Sequence, residues 1–140
     1  MKLPISLIIL TYNEEKNIGE CLESVKDLFE EIFIVDSYST DKTLEIAGKY
    51  TNKIYKNPFK NYSAQRNWAF EKLPLKKDWI FNMDADHRMT PELGKELVSI
   101  FSAPVSENIS GYMASRKTIF MGKWIRHGGC ISAVSAFIIS

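Results

Sequence analysis

The apolar run Trp79-Ile80-Phe81-Asn82-Met83 stops at two carboxylates separated by one small residue, Asp84-Ala85-Asp86. Such a run reads as a buried strand of a parallel sheet, and in open α/β sheets ligands sit outside the carboxyl ends of the strands. If the segment stays extended, period-2 alternation points Asp84 and Asp86 the same way and turns Ala85 aside. Two like charges so placed are tolerable beside a cation, and hard carboxylate oxygens suit Mg²⁺ or Mn²⁺, which travel with phosphorylated ligands. The plainer reading is that the pair ends a strand and opens a turn, where Asp is common on its own account. Asp-x-Asp alone decides nothing between the two.

The elements that must position this pair follow from the rest of the chain. Its 140 residues fit one domain with one core, and a net charge of +1 gives no bulk argument for nucleic acid as a partner. Cys21 and Cys130 show neither metal spacing nor a disulfide framework, which fits a reducing compartment and a cytoplasmic location. The N-terminal apolar run contains Pro4, lacks a cleavage site and reads as a first strand rather than a signal peptide. The apolar tail Cys130 to Ser140 falls short of the roughly 20 residues a spanning helix needs.

Strands and helices alternate. Strands are expected at Ile5 to Leu10, Ile32 to Val35, Lys53 to Tyr55 and Asp78 to Met83, and helices at Asn13 to Leu28, Ser39 to Tyr50, Ser63 to Lys72 and Pro91 to Phe101. This rhythm predicts βαβ units and an α/β fold with a mainly parallel sheet. Past Ser102, Gly111 to Phe120 reads as one or two strands and Met121 to Gly129 as a loop, while Cys130 to Ser140 has no placement.

Three strand ends carry polar groups: Thr11-Tyr12-Asn13-Glu14, Asp36-Ser37-Tyr38-Ser39-Thr40-Asp41 and Asp84-Ala85-Asp86. Together they offer what a sugar nucleotide needs. Asp36 can accept from the N3–H of a uracil ring, Thr11 can donate or accept beside it, and Tyr12 can stack on it. Asp41 reads as a helix cap instead, and Asp36 as functional because it lies too early to cap.

Taken in order, Pro4-Ile5-Ser6-Leu7-Ile8-Ile9-Leu10-Thr11-Tyr12-Asn13-Glu14-Glu15, Ile34-Val35-Asp36-Ser37-Tyr38-Ser39-Thr40-Asp41, Ala64-Gln65-Arg66-Asn67 and Asp84-Ala85-Asp86 resemble the family 2 glycosyltransferases. The resemblance runs from Met1 to about Gly129. It implies a GT-A fold, a Rossmann-like nucleotide-sugar-binding domain, that transfers a sugar from a nucleotide donor, here expected to be UDP-linked, with inversion. It also implies that Thr11, Tyr12 and Asp36 hold the base, Arg66 approaches base or diphosphate, Asp84 contacts the ribose and Asp86 ligates Mn or Mg. Asn13, Glu14, Ser39 and Ala85 complete the nucleotide-binding set. Asn61 to Asn67 and Gly122 to Gly129 look closest to enzymes of bacterial lipopolysaccharide core or capsule, so the acceptor implied is a glycan or lipid-linked sugar, met by Trp124 and His127. The expected division is 1–102 for nucleotide-sugar binding, 103–129 for the start of an acceptor part and 130–140 for an atypical apolar tail.

Two departures stand out. Tyr38 occupies a position where the family usually has glycine, which crowds the loop or supplies a ring to stack on the ligand. Residues 130–140 do not resemble the family's continuation into an acceptor half, and a truncation or shifted reading frame would account for them. Since no carboxylate follows Glu107, the expectation is a chain that binds the donor without the general base and turns over slowly or not at all. Arg116, Lys117, Lys123, Trp124 and Arg126 alternate with Phe120 and Ile125, a pattern suited either to anionic lipid or a phosphorylated glycan at the inner face of the membrane or to plain surface solubility. An incomplete fold would leave apolar surface bare, so homo-oligomerisation is also expected.

Two rival readings remain. A haloacid-dehalogenase-like phosphatase also uses Asp-x-Asp after a buried strand, but wants it on the first strand. A nucleotide-binding or assembly domain without catalysis is the non-enzyme alternative.

Overall fold

Strand β1 (Leu3–Thr11) exposes only Pro4, so a strand covered on both faces appears in the sequence as an almost unbroken apolar run. The computed structural model describes residues 1–115, and the backbone and strand pairing of 118–120, 123–125 and 134–139. Pro4 has no N–H for the ladder, and the pairing register shifts between Leu3 and Ser6, where it sits. Strands β2 (Phe29–Asp36) and β4 (Trp79–Asp84) flank β1 and run parallel to it, and β3 (Ile54–Lys56) lies parallel outside β2.

Helices α1 (Ile18–Glu23), α2 (Thr43–Ala47), α3 (Tyr62–Lys72) and α4 (Pro91–Phe101) fill the crossovers. Ile5, Leu7 and Ile9 of β1 join Ile34, Phe81 and Met83 in a core closed by Ile18, Cys21 and Leu22 of α1, Ala47 of α2 and Leu97 of α4. On the other face Ile8 and Leu10 meet Phe33, Val35 and, from α3, Ala69, with Leu73 just beyond it. The expected α/β architecture with a parallel core sheet is therefore present.

Two helices are shorter than their periodicity predicts, because their first residues are held by side chains from the facing loop. The backbone N–H of Asn13 donates to Ser39 Oγ (2.9 Å), that of Glu14 to Thr43 Oγ1 (2.8 Å) and that of Glu15 to Asp41 Oδ2 (3.2 Å). In return the N–H of Thr40 donates to Asn13 Oδ1 (2.8 Å) and that of Lys42 to Glu15 Oε2 (3.0 Å). Local side-chain bonds of this kind compete with helix formation. Asp41 does not cap α2 as expected, because the cap position falls to Lys42, which makes no side-chain cap bond; Asp41 sits one residue earlier, where its Oδ1 accepts from the N–H and hydroxyl of Thr43 at 2.9 and 2.5 Å.

The C-terminal third corrects one expectation and places a stretch that had none. Residues Lys123–Ile125 are not loop but strand β7, paired antiparallel with β6 (Thr118–Phe120), and the unplaced tail supplies β8 (Val134–Ile139). β8 lies antiparallel between β4 and β5 (Gly111–Ser115), giving the sheet order β3-β2-β1-β4-β8-β5. An uncharged run rich in Val and Ile suits a strand, and it was hard to place because no turn residues mark its limits.

At the sheet end opposite the strand tips, Glu31 accepts from Ser6 Oγ (2.7 Å), Lys53 Nζ (3.0 Å) and the N–H of Lys76 (3.3 Å). Burial is the largest single influence and opposes ionisation, yet these three donors together hold its carboxyl below the usual value. A depressed folded value means that the contribution is present above the ordinary value of 4.5 and is lost as pH falls through the folded one. Urea midpoints followed from pH 7 downward should therefore decline below that value, and Glu31→Gln should flatten the decline. Equal acid sensitivity in both proteins would contradict this assignment.

Candidate functional site

The strand ends lie side by side. Thr11 of β1 pairs with Asp36 of β2, and Leu10 pairs with Asp84 of β4. Between β1 and β4 the strand order reverses, the place where open α/β sheets open a ligand crevice. A cleft of about 590 Å³ opens there. Thr11 at the end of β1 lines it with Tyr12 and Glu14 of the following loop, Ser37 and Tyr38 line it from the loop after β2, and Asp84 at the end of β4 lines it with Ala85 and Asp86 of the following turn.

Register also fixes which way each side chain leaves the sheet. Thr11 and Asp36 share the phase of Ile9 and Ile34, toward α1 and α2, whereas Asp84 shares the phase of Asn82, toward α3. The cleft wraps over the sheet edge, so Thr11 and Asp84 both reach it.

The acidic end departs from the extended geometry expected for Asp84 to Asp86. The strand stops at Asp84, and a turn closed by the His87 N–H on the Asp84 carbonyl (3.0 Å) carries Asp86. The turn nevertheless gathers the pair and adds a third group: potential ligand atoms of Asp84, Asp86 and His87 all lie within 4.8 Å of one another. His87 Nε2 stands 3.8 Å from Asp84 Oδ2 and 3.7 Å from Asp86 Oδ1. Two carboxylates and an imidazole form a donor set that suits a divalent cation such as Mn²⁺ or Mg²⁺. His87 is not among the residues the sequence singles out; its adjacency to Asp86 is the available signal.

Neighbouring elements hold this turn in place. Arg66 of α3 donates from Nη2 to Asp84 Oδ1 (3.1 Å), and its Nη1 is buried with no partner among the described residues. Arg88 donates from Nε and Nη2 to Glu20 Oε2 of α1 (3.1 and 3.0 Å), and the Met89 N–H donates to Ser24 Oγ (3.0 Å). Cys21 lies beneath, its Sγ 3.8 Å from the Asp84 carbonyl. Burial above all pushes its thiol up to about 12, so it stays protonated and is no nucleophile at neutral pH.

Toward β2 the cleft is neutral. Thr11 Oγ1 is buried with no hydrogen-bond partner among the described residues. Asp36 is fully buried and is not part of the cleft lining; its carboxylate accepts from the N–H (2.8 Å) and hydroxyl (2.5 Å) of Ser39. Since Ser39 Oγ also accepts from Asn13, the two residues join the loops after β1 and β2 rather than standing free in the cleft. Between them Tyr38 has φ of +62°, and Asn13 has φ of +48°. For a bulky side chain such as tyrosine that conformation costs about 1–2 kcal/mol, which is why glycine is the easier residue at this corner. His127 and the side chain of Trp124 lie outside the described residues, as do Arg116, Lys117, Arg126 and the side chain of Lys123.

A model of a family described as glycosyl transferase family 2 matches residues 6–128. The chain belongs to that family. An uncharacterized glycosyltransferase of Rickettsia bellii is 39% identical over 110 residues, covering 79% of this chain and 36% of its own. The lipopolysaccharide core biosynthesis glycosyltransferase LpsC of Rhizobium meliloti is 34% identical over 126 residues, covering 86% and 45%. The chain thus spans less than half the length of these relatives, and the likeness to lipopolysaccharide enzymes is the one expected from its motifs. Among solved structures, glucosyl-3-phosphoglycerate synthase from Mycobacterium tuberculosis, in complex with Mn²⁺, UDP and glucosyl-3-phosphoglycerate, superposes with a TM-score of 0.57 at 21% identity, covering 78% of this chain and 42% of that one. At that identity the match speaks to the fold, which is the GT-A fold expected for a family 2 glycosyltransferase. No helix among the described residues is long and apolar enough to cross a membrane.

Proposed function

We propose that this family 2 glycosyltransferase chain binds a nucleoside diphosphate sugar, UDP-linked, together with Mn²⁺ or Mg²⁺, for inverting transfer to a glycan or lipid-linked acceptor. The observation that carries the reading is the meeting of three strand ends on one cleft, lined at one end by Asp84 and Asp86, with His87 clustered beside them, and at the other by uncharged, partly aromatic walls. A nucleoside diphosphate sugar has the same polarity, a planar base at one end and farther along a diphosphate dianion that needs a cation.

Asp86, with His87 beside it, would hold the ion, which when bound offsets the charge of the departing diphosphate. Arg66 fixes Asp84 and keeps an unpartnered N–H group for an anionic oxygen or ribose hydroxyl. Thr11 offers its free hydroxyl to the base edge, and Tyr12 its exposed ring. Asp36, Asn13 and Ser39 serve the nucleotide through the loop corner they hold rather than by direct contact. The LpsC likeness supports a glycan of the cell envelope as acceptor class.

The test is a calorimetric titration of the chain with UDP in the presence and absence of Mn²⁺. Binding that requires the ion is the expected result. No binding in either condition would overturn the proposal.

A further inference from the structure

Among the described residues, seven large apolar or aromatic side chains are exposed, and four of them, Tyr12, Tyr38, Phe59 and Tyr62, line this one cleft. Solvent-facing rings concentrated at one crevice ask for a ligand with a flat or apolar surface. Phe59 and Tyr62 pack edge to face with centroids 5.2 Å apart, and they remain 50% and 65% exposed.

These rings are placed rigidly. Gln65 of α3 donates from Nε2 to Ser37 Oγ and to the Asn57 carbonyl, both at 3.1 Å, and its Oε1 accepts from Asn57 Nδ2 (2.7 Å). The Asn57 N–H donates to the Asp36 carbonyl (3.0 Å), and Asn61 caps α3 by accepting from the Ala64 N–H (2.8 Å). The segment carrying Phe59 and Tyr62 is therefore bonded to the corner that carries Tyr38. At that corner the strained backbone turns Tyr38 to the cleft, and Lys56 Nζ lies 5.7 Å from its ring centroid. Strain of this sort persists where the surroundings over-determine it, and it gathers at ligand clamps.

We infer that Phe59 and Tyr62, together with Tyr38, form an aromatic wall against which the planar base of the nucleotide packs, one ring of the perpendicular Phe59–Tyr62 pair stacking on it and the other bracing that ring, making the 57–62 segment a positioning and specificity element of the donor site. The inference rests on the donor-binding reading above. A base is the occupant that fits: the cleft couples these rings to the orphan Thr11 hydroxyl, suited to a base edge, and to the cation-binding cluster at the far end. Preorganisation lets the stacking energy appear as affinity rather than be spent on ordering a loop.

The test compares wild type with Phe59→Ala/Tyr62→Ala, titrated with UDP plus Mn²⁺, with uridine alone, and with inorganic diphosphate plus Mn²⁺. UDP and uridine should each bind about tenfold more weakly or worse to the variant, while diphosphate binding stays unchanged. Because both rings are half or more exposed, the unfolding midpoint should also hold, and Phe59→Tyr/Tyr62→Phe should restore affinity. Wild-type UDP affinity in the double variant overturns the inference alone, as does equal weakening of all three ligands, which would mark a collapsed cleft. Failure of wild type to bind UDP with Mn²⁺ overturns the donor-binding reading and this inference with it.

Discussion

Replacing Asp86 by alanine should remove Mn²⁺-dependent UDP binding, lowering affinity by about 100-fold or more, beyond the about 10–100-fold lost when only an outer partner of a metal site is removed. The expectation follows from position. Asp84 is already committed through Oδ1 to Arg66, and His87 Nδ1 already accepts from the Asp84 N–H at 3.3 Å. Asp86 is the carboxylate of the cluster that faces solvent most, its side chain 60% exposed, so it is the readiest to take a hydrated cation and its loss leaves little cavity. The variant should unfold at the wild-type midpoint and retain any affinity for uridine alone. UDP titrations that match wild type in the presence of Mn²⁺ would show that the cluster is an ordinary acidic turn.

The second large effect is on stability. Phe81 is 1% exposed in the middle of β4, with its ring centroid 5.8 Å from that of Phe29 in the core beneath α1 and α4. Phe81→Ala should cost about 3–5 kcal/mol, a large share of the roughly 5–15 kcal/mol that holds a domain folded. Because β4 also delivers Asp84, donor binding at ambient temperature should weaken with the folded fraction and recover at lower temperature. The check is a urea unfolding curve, in which the midpoint should drop while the slope is kept. A loss below about 1 kcal/mol would mean that this core rearranges to fill the space.

How much of this could be read from the residues differs by element. β1 was plain because a strand buried on both faces leaves a continuous apolar trace, and α4 because Thr90 caps it and Pro91 opens it, giving the expected bounds Pro91–Phe101. The meeting of Thr11, Tyr12, Asp84 and Asp86 at one crevice was legible from the general rule about strand ends. What was not legible depended on partners distant in sequence. Asn13 and Ser39 are 26 positions apart, and only their contact explains why α1 starts late and why the Asp36 carboxylate is taken up inside the loop. A one-residue phase difference between Leu10 and Thr11 sends Asp84 to the α3 face, where Arg66 meets it, and no local pattern announces that register. His87 was passed over because a lone histidine after a turn carries no periodic signal, although its backbone closes that turn. Tyr38 shows the reverse case. A departure from the family's glycine, noticed in the sequence, coincides with a positive φ that only the fold reveals.

Paramagnetic relaxation by Mn²⁺ in the presence of UDP, read amide by amide, tests most directly whether one cleft grips both ion and nucleotide. Strong broadening is expected at Ala85, Asp86 and His87, graded broadening at Tyr12 and Tyr38 across the cleft, and undisturbed signals at Glu31, Lys53 and Lys76 on the opposite end of the sheet. Broadening centred on any other part of the molecule, or spread evenly over its surface, would contradict it.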